Sequence, residues 1–204
     1  LDALKGLDRI FNRTNRYKEL LTNLDRQLAI AATPRQKINL YERVASIHDE
    51  EFLDYKSAAA ALEEILKIDT AHENSLTSLV RHYRALDRWE DVANLYERHL
   101  KLVTDVPRRI ELLQARGRVL TEQVGSPERA MASYDAILEL DSQHNGALEA
   151  LARLREASGD ATAALGAIET LAGKAATPAA KAEQWVRAAK LLEGRGDRDG
   201  AIER

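Results

Sequence analysis

The five residues ILKID at Ile65 to Asp69 return as ILELD at Ile137 to Asp141, an interval of 72 positions. Each copy follows a stretch with apolar residues at helical spacing, and each precedes a short polar break. A fixed interval between like segments indicates a chain built by copying one structural unit. Such a unit limits the fold, because one copy must pack on the next to bury its apolar face.

Apolar residues recur at helical spacing along almost the whole chain, and no stretch alternates like a strand. Short breaks separate about twelve predicted helices. Helix starts are predicted where a cap residue or a weaker substitute precedes proline, at Thr33-Pro34, Val106-Pro107, Ser126-Pro127 and Thr177-Pro178. Gln36 would complete a capping box with Thr33. Helix ends are predicted near Asn15, Leu53, Asp87, Gly125, Gly159 and Gly196.

The predicted helices pair as hairpins that recur about every 35 to 37 residues, and their residue pattern resembles the tetratricopeptide repeat. That family's signature is W-x2-L-G-x2-Y in the first helix, then A-x3-F and a closing proline. The first-helix sets are Leu4, Leu7-Asp8, Phe11; Tyr41, Val44-Ala45, His48; Leu76, Leu79-Val80, Tyr83; Leu113, Arg116-Gly117, Leu120; Leu148, Leu151-Ala152, Arg155; and Trp185, Ala188-Ala189, Leu192. The second-helix pairs are Leu20 and Leu24, Ala58 and Leu62, Val92 and Tyr96, Ala130 and Tyr134, and Ala164 and Ile168.

Some positions depart from the family's pattern. Thr70 and Ser142 stand where the closing proline is expected. Looser or shifted packing is expected at four first-helix positions, namely Asp8, His48, Arg116 and Arg155.

The resemblance to the tetratricopeptide repeat (TPR) implies an all-α fold, a right-handed superhelical solenoid of about six TPR-like helical hairpins. Small residues such as Gly117, Ala152 and Ala189 let the second helix of a hairpin approach the first, while large residues fill the space around that contact. We expect residues 1–204 to form a single solenoid. Because Leu1 is not Met and the AIER end stops within a helical pattern, we interpret the chain as part of a longer repeat array.

Composition excludes several classes of protein. The chain has 204 residues, 31% of them charged, with a formal net charge of -3, so no positive field attracts nucleic acid. No apolar run approaches the roughly 18 to 20 residues of a membrane helix, so membrane insertion is not expected. The absence of cysteine excludes disulfides and thiolate metal sites. We expect a cytoplasmic protein, although an exported or periplasmic location is also compatible with this composition.

No signal for catalysis is found in the sequence. The histidines have no HExxH or similar metal spacing, and no glycine-rich loop follows a strand. The segment IHDEE around His48 is the one cluster of possible ligands, and we interpret it as a solvated helix end with a half-buried histidine. We therefore predict a chain that is not an enzyme and that uses no cofactor and no metal.

The resemblance also implies a concave groove lined by first-helix residues, including the residue after each small position. Those residues are Arg9, Ser46, Arg81, Arg118, Arg153 and Lys190, five of them basic. Similar positions beside them are Asn39, Glu42, Asn74, Thr77, Arg84, Glu111, Gln114 and Glu149. Two interpretations of the cations stay open: they receive carboxylates of an acidic partner, or they pair with neighbouring carboxylates, as Glu149 and Arg153 could at four-residue spacing.

Three functions remain compatible with this sequence. The favoured one is a non-catalytic protein-protein interaction scaffold, whose groove binds an extended or helical segment of a protein or peptide. The second is an accessory or docking region of a larger enzyme or signalling protein. The third is end-to-end self-association, since Leu4, Leu7 and Phe11 at one end have no obvious polar cap.

Overall fold

The computed structural model describes residues 2–194 and 197–203, and in that part of the chain it is all α. The α-helices are α1 (Asp2–Arg13), α2 (Tyr17–Ile30), α3 (Pro34–Glu50), α4 (Tyr55–Ile68), α5 (Glu73–Ala85), α6 (Trp89–Leu100), α7 (Val106–Val119), α8 (Pro127–Leu140), α9 (Asn145–Ser158), α10 (Ala161–Lys174), α11 (Pro178–Gly194) and α12 (Arg198–Glu203). A π-helical segment, Leu120–Val124, extends α7. The predicted all-α fold class is confirmed.

The chain divides into two compact units, the first ending at Leu102 and the second beginning at Val103. Helices α1 to α6 form the first unit, and helices α7 to α12 form the second. Within each unit every helix packs mainly on the helices that precede and follow it in sequence. This neighbour-to-neighbour order is what a repeat of helical hairpins requires, because no hairpin buries both of its faces alone.

The predicted small and large positions form the interior of the hairpins. All five second-helix pairs are buried, from Leu20 and Leu24 in α2 to Ala164 and Ile168 in α10. Gly117 and Ala152 are buried on first helices, as predicted. In α11 the fully buried small residue is Ala188, while the predicted Ala189 is half-buried.

The repeated motif marks equivalent helix ends. Ile65 and Ile137 are fully buried, and Asp69 and Asp141 are the C-caps of α4 and α8 with extended backbone. Each aspartate accepts a hydrogen bond at 3.0 Å from the backbone N–H two residues later. In both copies the next helix begins with histidine at the N-cap, three residues after the aspartate. The interval of 72 residues is therefore a structural repeat of helix, cap and turn.

Left-handed backbone conformation closes the turn within the first five hairpins. The positive-φ residues are Asn15, Leu53, Asp87, Gly125 and Gly159, five of the six predicted helix ends, while Gly196 lies outside the described residues. The following residue donates its N–H back to the first helix, as Arg88 does to the carbonyl of Tyr83 at 2.8 Å. This closure satisfies a helix-end carbonyl and turns the chain sharply.

The predicted helix starts are partly confirmed. Thr33 and Gln36 form the capping box at α3, and the Thr177 hydroxyl accepts from the N–H of Ala180 at 3.2 Å. Ser126 precedes α8 but its side chain makes no cap bond. At α7 the prediction is wrong by one residue, because Asp105 rather than Val106 is the cap and accepts the N–H of Arg108.

Polar contacts between helices occur at three of the four positions where the family pattern is broken. Buried Asp8 accepts hydrogen bonds from Asn23 at 2.6 Å and Gln27 at 2.9 Å on α2, and from Arg43 at 2.7 Å on α3. Two of the other departures also bond to a neighbouring helix, Arg116 to Ser133 and Arg155 to Asp135, each at 2.8 Å. Three of the four departing side chains, those of Asp8, Arg116 and Arg155, therefore have a hydrogen-bond partner on a neighbouring helix.

Candidate functional site

A cleft opens between α3 and α5 in the first unit, and we call it the first cleft. Its volume is about 230 Å³, and Leu62 of α4 is one of its apolar lining residues. It is lined by Glu42, Ala45, Ser46, Asp49, Glu50, Leu62, Asn74, Ser75, Ser78, Arg81 and His82. Four of these residues, Glu42, Ser46, Asn74 and Arg81, belong to the groove predicted from the sequence.

A second cleft opens between α7 and α9 in the second unit, with a volume of about 370 Å³. Tyr134 of α8 forms part of its wall, and Thr121 and Glu122 come from the π-helical segment. It is lined by Gln114, Arg118, Thr121, Glu122, Tyr134, Gly146, Glu149, Ala150, Arg153 and Leu154. Gln114, Arg118, Glu149 and Arg153 were predicted as groove residues.

The two clefts are equivalent in the internal repeat. Nine lining positions of the first cleft reappear 72 residues later in the second. The pairs are Glu42 and Gln114, Ser46 and Arg118, Asp49 and Thr121, Glu50 and Glu122, Leu62 and Tyr134, Asn74 and Gly146, Ser78 and Ala150, Arg81 and Arg153, and His82 and Leu154. The repeat therefore preserves the place of the cleft while most of its side chains change.

A third cleft, of about 590 Å³, lies between α9 and α11 and includes the predicted Lys190. One of its lining residues is Arg187, which donates to Glu156 at 2.6 Å and to Glu149 at 3.1 Å. The hydrogen bond with Glu156 raises the pKa of Arg187. Sequence reasoning missed Arg187, although two carboxylates seven residues apart on one helix face indicate a need for a cation between them.

The predicted row of cations divides into paired and unpaired members. Arg81 forms an ion pair with Asp49, and Arg153 pairs with Glu149 at 2.9 Å, as the second interpretation of the sequence expects. Arg118 is exposed and has no carboxylate at ion-pair distance in the described part of the chain. Arg9 is exposed on α1 and lines none of the three clefts described above.

The remaining predicted groove residues are dispersed. Asn39 and Thr77 are exposed outside these clefts. Arg84 turns toward α6 and donates to the hydroxyl of Tyr96 at 3.3 Å, and Glu111 pairs with Arg108 at 2.9 Å along α7. The structure therefore places nine of the fourteen predicted residues in clefts, and it directs the other five to neighbouring side chains or to solvent.

His82 is a buried polar residue of the first cleft. Its side chain is 2% exposed, and its Nδ1 atom has no hydrogen-bond partner and lies 3.9 Å from Asp49 Oδ1. The ring stacks on Tyr55 at 5.7 Å between centroids. Burial lowers the pKa of His82 below its ordinary value; the Asp49 carboxylate opposes this shift, and Arg81 adds to it. The sequence did not single out this histidine for the cleft.

Within residues 2–194 and 197–203, no group of three or more histidine, aspartate or glutamate side chains is arranged to hold a metal ion. His48 of the IHDEE segment is half-buried as predicted, and its Nδ1 atom lies 3.7 Å from the Asp54 carboxylate. No helix of the described residues has the length and apolar character needed to cross a bilayer.

Paired helices, positive-φ turns and clefts that recur with the repeat define a helical-hairpin repeat protein. The family model of the tetratricopeptide repeat matches residues 75–110, so the resemblance seen in the sequence is confirmed. No curated protein matches the chain.

Solved structures show the same fold. A crystal structure of MamA has 18% sequence identity and a TM-score of 0.52, covering 82% of this chain and 87% of MamA. The crystal structure of YrrB, a TPR protein with an unusual peptide-binding site, has 16% identity and a TM-score of 0.52, covering 82% of this chain and 80% of YrrB. A further MamA structure has 19% identity and a TM-score of 0.50 over 76% of this chain and 86% of that one.

Proposed function

We propose that this chain is a non-catalytic protein-protein interaction scaffold whose clefts hold an extended or helical segment of a partner protein. The observation that carries the proposal is the recurrence of one cleft at equivalent positions of two repeats. A concave surface between successive first helices suits a peptide segment, which can place side chains in such clefts. The peptide-binding site of the similarly folded YrrB supports this function.

The second cleft has the chemistry to receive an acidic side chain or a chain terminus. The guanidinium of Arg118 is exposed at its edge and is not neutralised by a carboxylate of the described residues. Gln114 beside it offers an amide that can donate to and accept from a peptide backbone. Because a guanidinium binds a carboxylate through two parallel hydrogen bonds, Arg118 gives this cleft a preference for acidic segments.

A peptide selection tests the proposal. Dodecapeptides displayed on phage are selected on the full chain, and the best peptide is titrated by fluorescence anisotropy against the parent and two charge-reversal variants. We expect R118E to weaken binding about tenfold or more, since a bidentate pair becomes a repulsion. The matched control is K56E, which makes the same change of charge at an exposed position of α4 outside the clefts.

Two results would contradict the proposal. One is a selection that enriches no peptide above the background of an unrelated helical protein. The other is a selected peptide whose affinity falls equally in R118E and K56E, because binding would then depend on the total charge of the chain rather than on the second cleft.

A further inference from the structure

The two equivalent clefts differ in charge. The first cleft has three carboxylates, Glu42, Asp49 and Glu50, and one guanidinium, Arg81, a formal balance of -2. In the second cleft, two carboxylates are balanced by two guanidinium groups, which come from Glu122, Glu149, Arg118 and Arg153. The positions that changed between the repeats therefore make the first cleft the more negative one, and a negative cleft favours a cation.

A second difference lies at the inner wall of the first cleft. His82 is almost completely buried there, and its Nδ1 atom has no partner in the structure. Most buried polar side-chain atoms in proteins are hydrogen-bonded, so an orphaned nitrogen in a cleft indicates a missing partner. The equivalent residue of the second cleft is Leu154, and the equivalent of Asp49 is Thr121. The second cleft therefore lacks both the histidine and the aspartate found at these positions of the first cleft.

The geometry of this pair suits a donor with several N–H groups. Nδ1 of His82 and Oδ1 of Asp49 are 3.9 Å apart, a separation that one donor atom can bridge once it displaces Arg81 and reaches the buried Nδ1 atom. A carboxylate only accepts hydrogen bonds, and a neutral imidazole accepts on one of its nitrogens. An ammonium group has three donors, and Glu50 of the same cleft offers a further acceptor.

Arg81 already places a cation at this carboxylate. Its guanidinium pairs with Asp49, yet the Arg81 side chain is 61% exposed, so the pair is open to solvent and to competition. A cation supplied by a partner would replace Arg81 at Asp49 and would reach deeper, toward His82. Arg81 is in this sense an internal competitor of the ligand.

We propose that the first cleft binds a lysine or arginine side chain of the partner segment, received by Asp49, Glu50 and His82. This proposal rests on the scaffold function above, and it assigns to the first cleft a charge preference opposite to that of the second. A partner with a basic residue is thus selected by the first unit, and a partner with an acidic residue by the second.

Short capped peptides test this assignment directly. The isotope-labelled full chain is titrated in separate NMR experiments with acetyl-Ala-Lys-Ala-amide, with its norleucine analogue and with its glutamate analogue. We expect the lysine peptide to shift the amide signals of residues 42–50 and 74–82 and the ring nitrogen signals of His82. The norleucine and glutamate peptides should bind there about tenfold more weakly, because neither supplies a donor cation.

Matched variants test which residues bind the lysine peptide. E50Q should weaken lysine-peptide binding severalfold, while E122Q, the equivalent change in the second cleft, should leave it unchanged. H82L, which introduces the residue type of the second cleft, should also weaken binding, and circular dichroism verifies that its helices are retained. R81Q should strengthen binding, because it removes the competing guanidinium from Asp49.

The opposite results would overturn the proposal. Equal binding of the lysine and norleucine peptides, a preference of the first cleft for the glutamate peptide, or weaker lysine binding in R81Q would each show that the cleft does not select a cation. If the selected dodecapeptide still binds and is lost in R118E, the scaffold function stands and only this assignment fails.

Discussion

Gly117 of α7 lies directly against the ring of Tyr134 on α8, so that a Cβ atom added at position 117 would be 2.7 Å from Tyr134 Cζ. Real side chains do not approach this closely, and the ring would have to move. Tyr134 is also part of the wall of the second cleft, so the small residue in one helix sets the position of a cleft residue in the next.

Substitution of Gly117 by alanine should therefore destabilise the chain. We expect the free energy of unfolding to fall by about 1 to 2 kcal/mol, since the overpacking cost exceeds the better helix propensity of alanine. Urea denaturation followed by circular dichroism measures the change. Gly166 in α10 is the control, because a Cβ there meets no atom within 4 Å, and G166A should be neutral or stabilising. Equal losses in both variants would contradict the close-contact explanation.

Leu53 has a left-handed backbone, with φ of 51°, and a side chain that is 68% exposed. The equivalent turn 72 residues later has Gly125. Leucine in this conformation is strained, whereas asparagine adopts it readily, so L53N should raise the free energy of unfolding by about 0.5 to 1 kcal/mol. Thermal denaturation compares it with L102N, an exposed leucine without a positive φ, for which no gain is expected.

Asp8 should make stability depend on acid pH. Burial favours its neutral form, but hydrogen bonds from Gln27, Arg43 and Asn23 outweigh this effect and hold the pKa of Asp8 below its ordinary value. The unfolded chain then binds a proton at higher pH than the folded chain. The stabilisation by Asp8 is therefore complete above the unfolded carboxyl pKa of about 4, and it is lost as pH falls through the folded pKa.

The variant D8N should accordingly be less stable at neutral pH by about 2 kcal/mol, because charged hydrogen bonds are lost. Between about pH 5 and pH 3 it should lose less stability than the parent, since its residue 8 no longer titrates. Urea midpoints at a series of pH values measure both effects. The control is D25N, an exposed change on α2, which should follow the parent at every pH. A D8N curve parallel to that of the parent would refute the role of Asp8.

Arg187 and Arg153 both bind Glu149, but in different surroundings. Arg187 joins α11 to α9 and is 22% exposed, whereas Arg153 lies on α9 itself and is 73% exposed. R187M should lower the free energy of unfolding by about 1 to 2 kcal/mol, because it breaks a half-buried pair with two carboxylates. R153M should cost only a few tenths of a kcal/mol. Chemical denaturation in low and high salt compares the stability of the two variants. Equal losses in R187M and R153M would contradict the larger contribution expected of Arg187.

The helices and their turns were predictable because their determinants are local. Thr33, Pro34 and Gln36 lie within one helical turn of each other, so their capping role depends on sequence spacing alone. The same holds for the positive-φ turns at Asn15, Asp87 and Gly159, where small or polar residues follow an apolar helical stretch. Leu53 was also predicted as a helix end, although leucine is an unusual residue at a positive φ.

The clefts were predictable in part. The family pattern predicted Glu42, Arg81, Gln114 and Arg118 as residues of one groove; the first two line the first cleft and the last two line the second. The family pattern did not indicate that Arg84, predicted as a groove residue, would instead donate a hydrogen bond to Tyr96. Spacing along a helix determines the face on which a side chain starts, but a long side chain can reach several partners from that face.

By itself, the sequence determined the all-α hairpin repeat and its interval of 72 residues, because like segments recur along the chain. It also determined the caps and turns that end the helices, because each of these depends on residues a few positions apart. The tertiary structure decided which charges are neutralised and which polar atoms remain without a partner. Arg81 meets Asp49 from 32 positions away, and Arg187 meets Glu149 from 38. Such contacts form only when helices from different hairpins pack together, and their distances are set by that packing.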